Sequence, residues 1–357
     1  MVTYNSNKIV LNQNMIKLTI PPLLKNGDTI GIISPSAGLH PFCPHRTFEG
    51  EKTLKKLGYK VKYAPHSLEN NGYVSTSPQK RVDDLHQMFL DKEVTAIICS
   101  LGGENANQLL KYIDFSIIKN NPKIFLGYSD ITILHCAFAS QSQLRTYYGP
   151  TLQTEFAEYP DIDPYVTEYF NKAIASNKVI GKINPSKEWS DEFLNWFTKE
   201  DQKRKRTPYP HLGYEWLKEG HAEGSIFGGC IPTLNHLAGT KYWIDPTDTI
   251  FFIDIPEGAP GQQMSLSALD AFFADLENIG VFQNIKGLLV GRPYQFKEDS
   301  IEKLKEILLY YTADHNYPIL FNANIGHASP IITIPLGASC NIDSRNNLFE
   351  ITESGVV

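Results

Sequence analysis

The stretch Ile124-Phe-Leu-Gly-Tyr-Ser129-Asp-Ile-Thr-Ile-Leu-His135 decides how this chain is read. Lys123 to Gly127 is a short apolar run of strand type, and a helical pattern extends from Ile131 to Ser140. Between them lies Gly-x-Ser, with no room for a loop. A serine on such a strand-turn-helix corner presents its hydroxyl at the C-terminal edge of a sheet. The first N–H groups of the following helix carry partial positive charge and favour a developing oxyanion. Gly127 permits the tight turn. A plainer reading exists, in which Ser129 or Asp130 merely caps the helix. Gly-x-Ser by itself does not separate the two.

Working outward, the same alternation repeats. Asp28-Thr-Ile-Gly-Ile-Ile-Ser-Pro-Ser36 is a buried β-run ending in a small-residue loop. Arg46 to Leu57 has helical periodicity and Tyr59 to Tyr63 alternates like a strand. Ser77-Pro opens a helix that runs to Phe89. Val94 to Cys99 is a strand that breaks at Ser100-Leu-Gly-Gly103 and leads into a helix through Tyr112. Strands and helices at this spacing predict an α/β fold built on a parallel sheet. Residues 156–223 read differently. They hold Pro160, Pro164, Pro185, Pro208 and Pro210, three of the four tryptophans, and the charged run from Lys199 to Arg206. They are expected to form a linker with irregular inserts, the charged run being a solvated loop. From residue 224 the pattern resumes, with strands at Ile250–Asp254, Ile285–Val290, Ile319–Phe321 and Ile331–Ile334 and helices over 265–279 and 301–311. The expected organisation is a loose tail (1–17), an α/β unit (18–155), the linker and insert (156–223) and a second α/β unit (224–357).

Of 357 residues, 33 are Lys or Arg and 39 are Asp or Glu, a formal charge of −6. This balance argues against non-specific nucleic-acid binding. No apolar run approaches the ~20 residues of a membrane helix. The Asn-rich stretch from Met1 to Lys17 lacks a signal-peptide core, so a cytoplasmic address is expected. The five cysteines stand singly and in no C-x-x-C spacing, which argues against a disulfide framework or a cysteine zinc site.

Other residues that could do chemistry also lie at strand ends. Gly102-Gly103 lets backbone amides approach a ligand, as an oxyanion donor or anion site. It lacks the dinucleotide G-x-G-x-x-G and the P-loop Gly-Lys-Ser/Thr. A serine nucleophile needs a base and a group that orients the base. His327 stands in the loop Asn324-Ile-Gly-His-Ala-Ser-Pro330 before an apolar strand, and Asp254 ends the strand Ile250-Phe-Phe-Ile. Glu257 follows three residues later and is a second candidate acid. Spacing alone does not choose between them.

Taken together, the motifs resemble one family of serine peptidases, which includes bacterial LD-carboxypeptidases and microcin C self-immunity peptidases. The matching segments are G-D-T-I-G-I-I-S-P-S (27–36), S-x-x-x-R-V-D-D-L (77–85), L-G-G-E-N-A-N-Q-L-L (101–110), G-Y-S-D-I-T (127–132) and Y-G-P (148–150). They continue with G-G-C-I-P-T-L (228–234), F-F-I-D-I-P-E (251–257) and G-H-A-S-P-I-I-T-I-P-L-G (326–337). The insert W-S-D-E-F-L-N-W (189–196), with Tyr214 and Trp216, resembles the microcin-immunity branch more than the murein branch. The resemblance implies an N-terminal Rossmann-like domain and a C-terminal α/β domain with the site between them. It implies Ser129 as nucleophile, His327 as base, Asp254 as acid, and the backbone N–H groups of Gly103 and Asp130 as oxyanion hole. It further implies a homodimer with no cofactor or metal, acting on a small peptide or peptidyl-nucleotide.

Three positions depart from the family pattern. Asp254 stands where Glu is usual, Gly258 where the immunity branch carries Lys, and Cys230 where Gly-Gly-Asn is usual. Trp196 matches a position that stacks on adenine in that branch, and base stacking on an aromatic is worth ~1–3 kcal/mol. Trp189, Trp216 and Cys230 are the other expected substrate contacts. The expected reaction is hydrolysis of an amide in an aminoacyl- or peptidyl-nucleotide. A murein tetrapeptide is the rival substrate, and a non-catalytic binding protein is the rival class. A dehydrogenase is disfavoured because no dinucleotide fingerprint follows the first strand.

Overall fold

A computed structural model describes residues 17–259 and 261–357. The expectation of a loose tail falls, apart from Lys17, outside the described residues. In chain order the strands of the first half are β1 (Thr29–Ile33), β2 (Lys60–Tyr63), β3 (Val94–Cys99), β4 (Ile124–Gly127) and β5 (Tyr147–Tyr148). Then come β6 (Gly181–Lys182), β7 (Glu188–Trp189), β8 (Tyr209–Pro210), β9 (Glu215–Lys218), β10 (His221–Cys230), β11 (Thr249–Asp254), β12 (Gly287–Gly291) and β13 (Ile319–Ala323). The last are β14 (Ile334–Pro335), β15 (Ser339–Asp343) and β16 (Leu348–Ile351).

Two sheets carry the fold. The first has the order β14-β5-β4-β3-β1-β2, parallel throughout except for β14. The second has the order β6-β16-β15-β10-β11-β12-β13-β9, with a parallel centre from β10 to β13 and antiparallel flanks. The central strands are buried on both faces. Ile97, Ile98, Phe125, Leu126, Phe252, Ile253, Leu288 and Leu289 are wholly inaccessible. Such strands read as continuous apolar runs because helices cover both faces. Among the described residues no helix is long and apolar enough to cross a membrane.

The helices begin where their capping chemistry allows. The Ser77 side chain accepts from the Lys80 N–H ahead of the helix Pro78–Leu90, and Ser265 does the same for Leu266–Asn278. Several expectations are corrected. The helix expected after Gly103 is a single 3-10 turn, Ala106–Leu109. Its backbone is engaged elsewhere: the Ala106 N–H donates to Asp130, and the Asn105 carbonyl accepts from Arg81. The strand expected over 331–334 is reduced to Ile334–Pro335, because residues 324–333 cross from one sheet to the other. The segment 156–223 is more ordered than a linker. It holds the helix Pro164–Ile174, capped by Asp163 with Val166, Tyr169, Phe170 and Ala173 turned inward. It also supplies β6 and β9 to the second sheet. The sheets thus interleave along the chain.

Candidate active site

Every residue of the expected catalytic set sits at or just beyond the C-terminal end of a parallel strand, where ligands of open α/β sheets bind. Ser129 follows β4, the Gly102-Gly103 pair follows β3, Asp254 ends β11 and His327 follows β13. Ser129 has φ +62, a left-handed conformation that costs a non-glycine residue of order 1 kcal/mol or more. The abrupt passage from β4 into the turn Ser129–Ile131 imposes it. Around the corner, Asp130 is buried, and its carboxylate accepts from the Ser36 hydroxyl and, at 2.8 Å, from the Ala106 N–H. That clamps the loops after β1 and β3 against the serine. Buried Arg81 adds bonds to the carbonyls of Pro35 and Asn105 and to Gln108. Gly103 has φ +144, and a side chain there would overlap Ser36.

The expected base and acid meet directly. Nδ1 of His327 lies 3.0 Å from Oδ1 and 2.9 Å from Oδ2 of Asp254, which is fully buried. This leaves Nε2 free to face a nucleophile. The Gly326 backbone lies so close that a Cβ there would overlap the Asp254 carboxylate. The loop thereby draws in far enough for an acid one methylene shorter than Glu to reach the ring. Glu257, the other candidate acid, lines the same cleft, but among the described residues it makes no hydrogen bond or ion pair with His327. Burial alone would lower the His327 pKa. The Asp254 charge and hydrogen bond, with Glu257 and Glu155 nearby, outweigh it and push the pKa up to about 9. Tyr128 packs edge-on against the imidazole, with ring centroids 5.1 Å apart.

The cleft encloses about 360 Å³. Ser129, His327, Gly103, Glu257 and Tyr294 line it from the chemical end, and Trp196, Phe193, Phe197, Arg46, Asp201, Arg206, Glu155 and Glu158 line the rest. Of the expected substrate contacts, Trp196 lies in the cleft wall, its ring 4.4 Å from the Arg46 guanidinium. The other three expected substrate contacts are not in the lining. Trp189 stacks under Arg292 and beside Tyr209. Trp216 lies in edge strand β9, with its indole N–H donating to Asn347 at 2.9 Å. Cys230 is buried behind Asp254, with its thiol pushed well up by burial. The Asp130 side chain is likewise a support behind the site, while its backbone N–H opens the turn.

The charged run 199–206 is not simply solvated, which corrects the expectation for it. Asp201 is buried against Arg46 at 3.1 Å and His45 at 3.2 Å. Arg206 is mostly buried and pairs with Glu158 on the cleft wall. Sequence reasoning missed Arg46, Asp201, Arg206 and Glu155 as cleft residues. The two adjacent acids, Glu200 and Asp201, inside an otherwise basic run were the available signal for Asp201. Cys230 Sγ, Asp254 and a His327 ring nitrogen lie within 4.8 Å of one another, a set of metal-ligand types. The Asp254 carboxylate is already taken up by His327 and by the Tyr148 hydroxyl, and burial holds the Cys230 thiol protonated, so the set does not fit a metal ion.

Comparison with known proteins agrees with this architecture. Residues 30–149 match the LD-carboxypeptidase N-terminal domain and residues 223–342 the LD-carboxypeptidase C-terminal domain. The chain is 38% identical to the putative carboxypeptidase YocD of Bacillus subtilis, over 92% of this chain and 97% of that one. It is 30% identical to a probable murein peptide carboxypeptidase of the same organism, over 94% and 95%. It is 28% identical to the microcin C7 self-immunity protein MccF of Escherichia coli, over 92% and 94%. The structure of MccF in complex with aspartyl sulfamoyl adenosine superposes with a TM-score of 0.88 at 27% identity, covering 95% of this chain and all of that one. With both halves matched in order and the fold shared from end to end, the chain belongs to the LD-carboxypeptidase family of peptidases, peptidase S66.

Proposed function

We propose that the chain hydrolyses an amide bond in an aminoacyl- or peptidyl-nucleotide, using Ser129, His327 and Asp254 as a catalytic triad. The observation that carries the reading is the His327–Asp254 contact of 2.9–3.0 Å, in one cleft with a serine on a strained strand-helix corner. Ser129 Oγ attacks the scissile carbonyl carbon while Nε2 of His327 takes the hydroxyl proton. The oxyanion is received by the backbone N–H groups of Gly103 and Asp130. The imidazolium then gives its proton to the leaving nitrogen, the C–N bond breaks, and an acyl-enzyme remains. Water repeats the sequence, its proton passing to His327 and back to Ser129 as the ester opens. Asp254 holds the tautomer with Nδ1–H directed at itself and stabilises the imidazolium.

The nucleotide part of the reading rests on Trp196, an aromatic on the cleft wall, and on the likeness to MccF in its complex with aspartyl sulfamoyl adenosine. The likeness to a probable murein peptide carboxypeptidase supports a second substrate, a murein tetrapeptide cut between its L- and D-residues. A cytoplasmic homodimer without cofactor belongs to the same reading and rests on the family resemblance. The test is mass-spectrometric hydrolysis of an aminoacyl-sulfamoyl-adenosine and of a murein tetrapeptide. Ser129→Ala should lower kcat by roughly 10⁴-fold or more on whichever substrate the wild type cuts. Cleavage of the tetrapeptide alone selects the second substrate. Full activity of Ser129→Ala refutes the triad.

A further inference from the structure

One motif of the chain, Tyr148-Gly-Pro, has no part in the reaction as described so far. Tyr148 ends β5 at the edge of the first sheet, paired with Gly127 of β4 on one side and Ile334 of β14 on the other. Its side chain is buried and points across the domain boundary, edge-on to Phe252 of β11 with ring centroids 5.1 Å apart. There the hydroxyl makes two bonds. It donates to Oδ2 of Asp254 at 2.5 Å, and it accepts from the backbone N–H of Ser129 at 3.3 Å. One phenol therefore touches both the acid of the second sheet and the main chain of the nucleophile in the first.

We propose that Tyr148 is a positioning residue for the reaction, joining the Ser129 backbone, its own hydroxyl, Asp254 and His327 in one hydrogen-bond chain across the two sheets. Two physical effects follow. A buried carboxylate needs more than one donor to stay ionised, and the phenol O–H supplies the second beside the imidazole. The same hydroxyl ties down the N–H of a residue held at φ +62, so the strained corner keeps its Oγ in register with the imidazole. Tyr148 keeps its proton throughout. Burial and the adjacent Asp254 charge push its pKa far above the ordinary phenol value, so it donates at every working pH.

The inference rests on the triad reading, and its test can fail separately from that reading. His327 is titrated by NMR, without turnover, in the wild type and in Tyr148→Phe, alongside kcat, KM and thermal stability. The groups facing His327 are Asp254, Glu257, Glu155, Tyr128, Tyr294 and Cys230, and all are retained in this variant. Losing the phenol leaves Asp254 less satisfied and more attractive to the imidazolium. The His327 titration should therefore move up. kcat should fall by roughly tenfold or more, with KM within about twofold. A second protein carrying 3-fluorotyrosine at 148 keeps the bulk and the hydroxyl but is a stronger donor. It should move the titration down, and it remains informative if Tyr148→Phe does not fold. A titration that stays in place in both proteins, with kcat within twofold of wild type, overturns the proposal. A purely structural role would lower thermal stability and leave the titration unmoved.

Discussion

The corner at Ser129 and the segment 191–206 line the same cleft, yet different physics holds each in place. The corner is main chain. It lies between parallel strands with inaccessible side chains, and the buried Asp130 carboxylate clamps the neighbouring loops to it. The segment is held by side chains: Asp201 against Arg46 and His45, Arg206 against Glu158, and the exposed rings of Phe42 and Phe197 meeting at 6.5 Å. Backbone packing fixes geometry to fractions of an ångström. Ion pairs and half-exposed aromatics can be replaced without disturbing a sheet. The proposed triad therefore sits on the element that cannot shift, and the proposed substrate contacts on the one that can.

The largest expected effect tests the rigid side. Asp254→Asn should lower kcat by roughly 10³–10⁴-fold, leave KM nearly unchanged, and bring the His327 titration down from about 9 towards 6.5. In the wild type, kcat/KM should rise with pH through that titration, because only neutral His327 accepts a proton. Stability runs the other way. A raised histidine pKa contributes stability in full below 6.5, and the contribution is lost as pH rises through 9. Thermal unfolding across that window measures it. An equal loss of kcat and rise in KM in Asp254→Asn would break the contrast between the two regions.

Asp201→Asn tests the replaceable side. It leaves Arg46 and His45 buried without their anion, a change that costs about 3 kcal/mol locally. The expected kinetic outcome is KM raised roughly tenfold with kcat within about threefold. A matching fall in kcat would show that the segment helps to place Ser129 or His327. The smallest effect is expected at Trp216→Phe, which loses one hydrogen bond to Asn347 outside the cleft. Steady-state constants should stay within about twofold, against a clear rise in KM for Trp196→Ala.

The same contrast explains what was legible in the sequence. Val94–Cys99 was read to the residue, and β4 and β11 were found, because a strand buried on both faces leaves an uninterrupted apolar run. Ser129 and Asp254 could be singled out because each stands where such a run stops, and His327 because it stands in a loop just before the apolar run 331–334. The cleft's other wall gave no such signal. Asp201 and Arg206 sit in a charged run whose local pattern is that of a solvated loop, and their burial comes from residues more than forty positions away. Trp196 was set apart from Trp189 and Trp216 only by the family resemblance, not by its local pattern. Which of them faces the cleft depends on sheet register: Trp216 is paired opposite Leu320, at an edge.

Strand β14 has a consequence for the order of events in synthesis. It follows the His327 loop and closes the outer edge of the first sheet by pairing with β5, the strand that bears Tyr148. Until residues 334–335 leave the ribosome, that edge has no partner. At ~5–20 residues per second the wait is on the order of 10 s. Unpaired edges recruit other strands. The interval is therefore when the nascent chain is most exposed to wrong pairing. The pairing that ends it lies beyond His327 in the chain, so the first sheet is sealed only after every residue of the proposed triad has been synthesised.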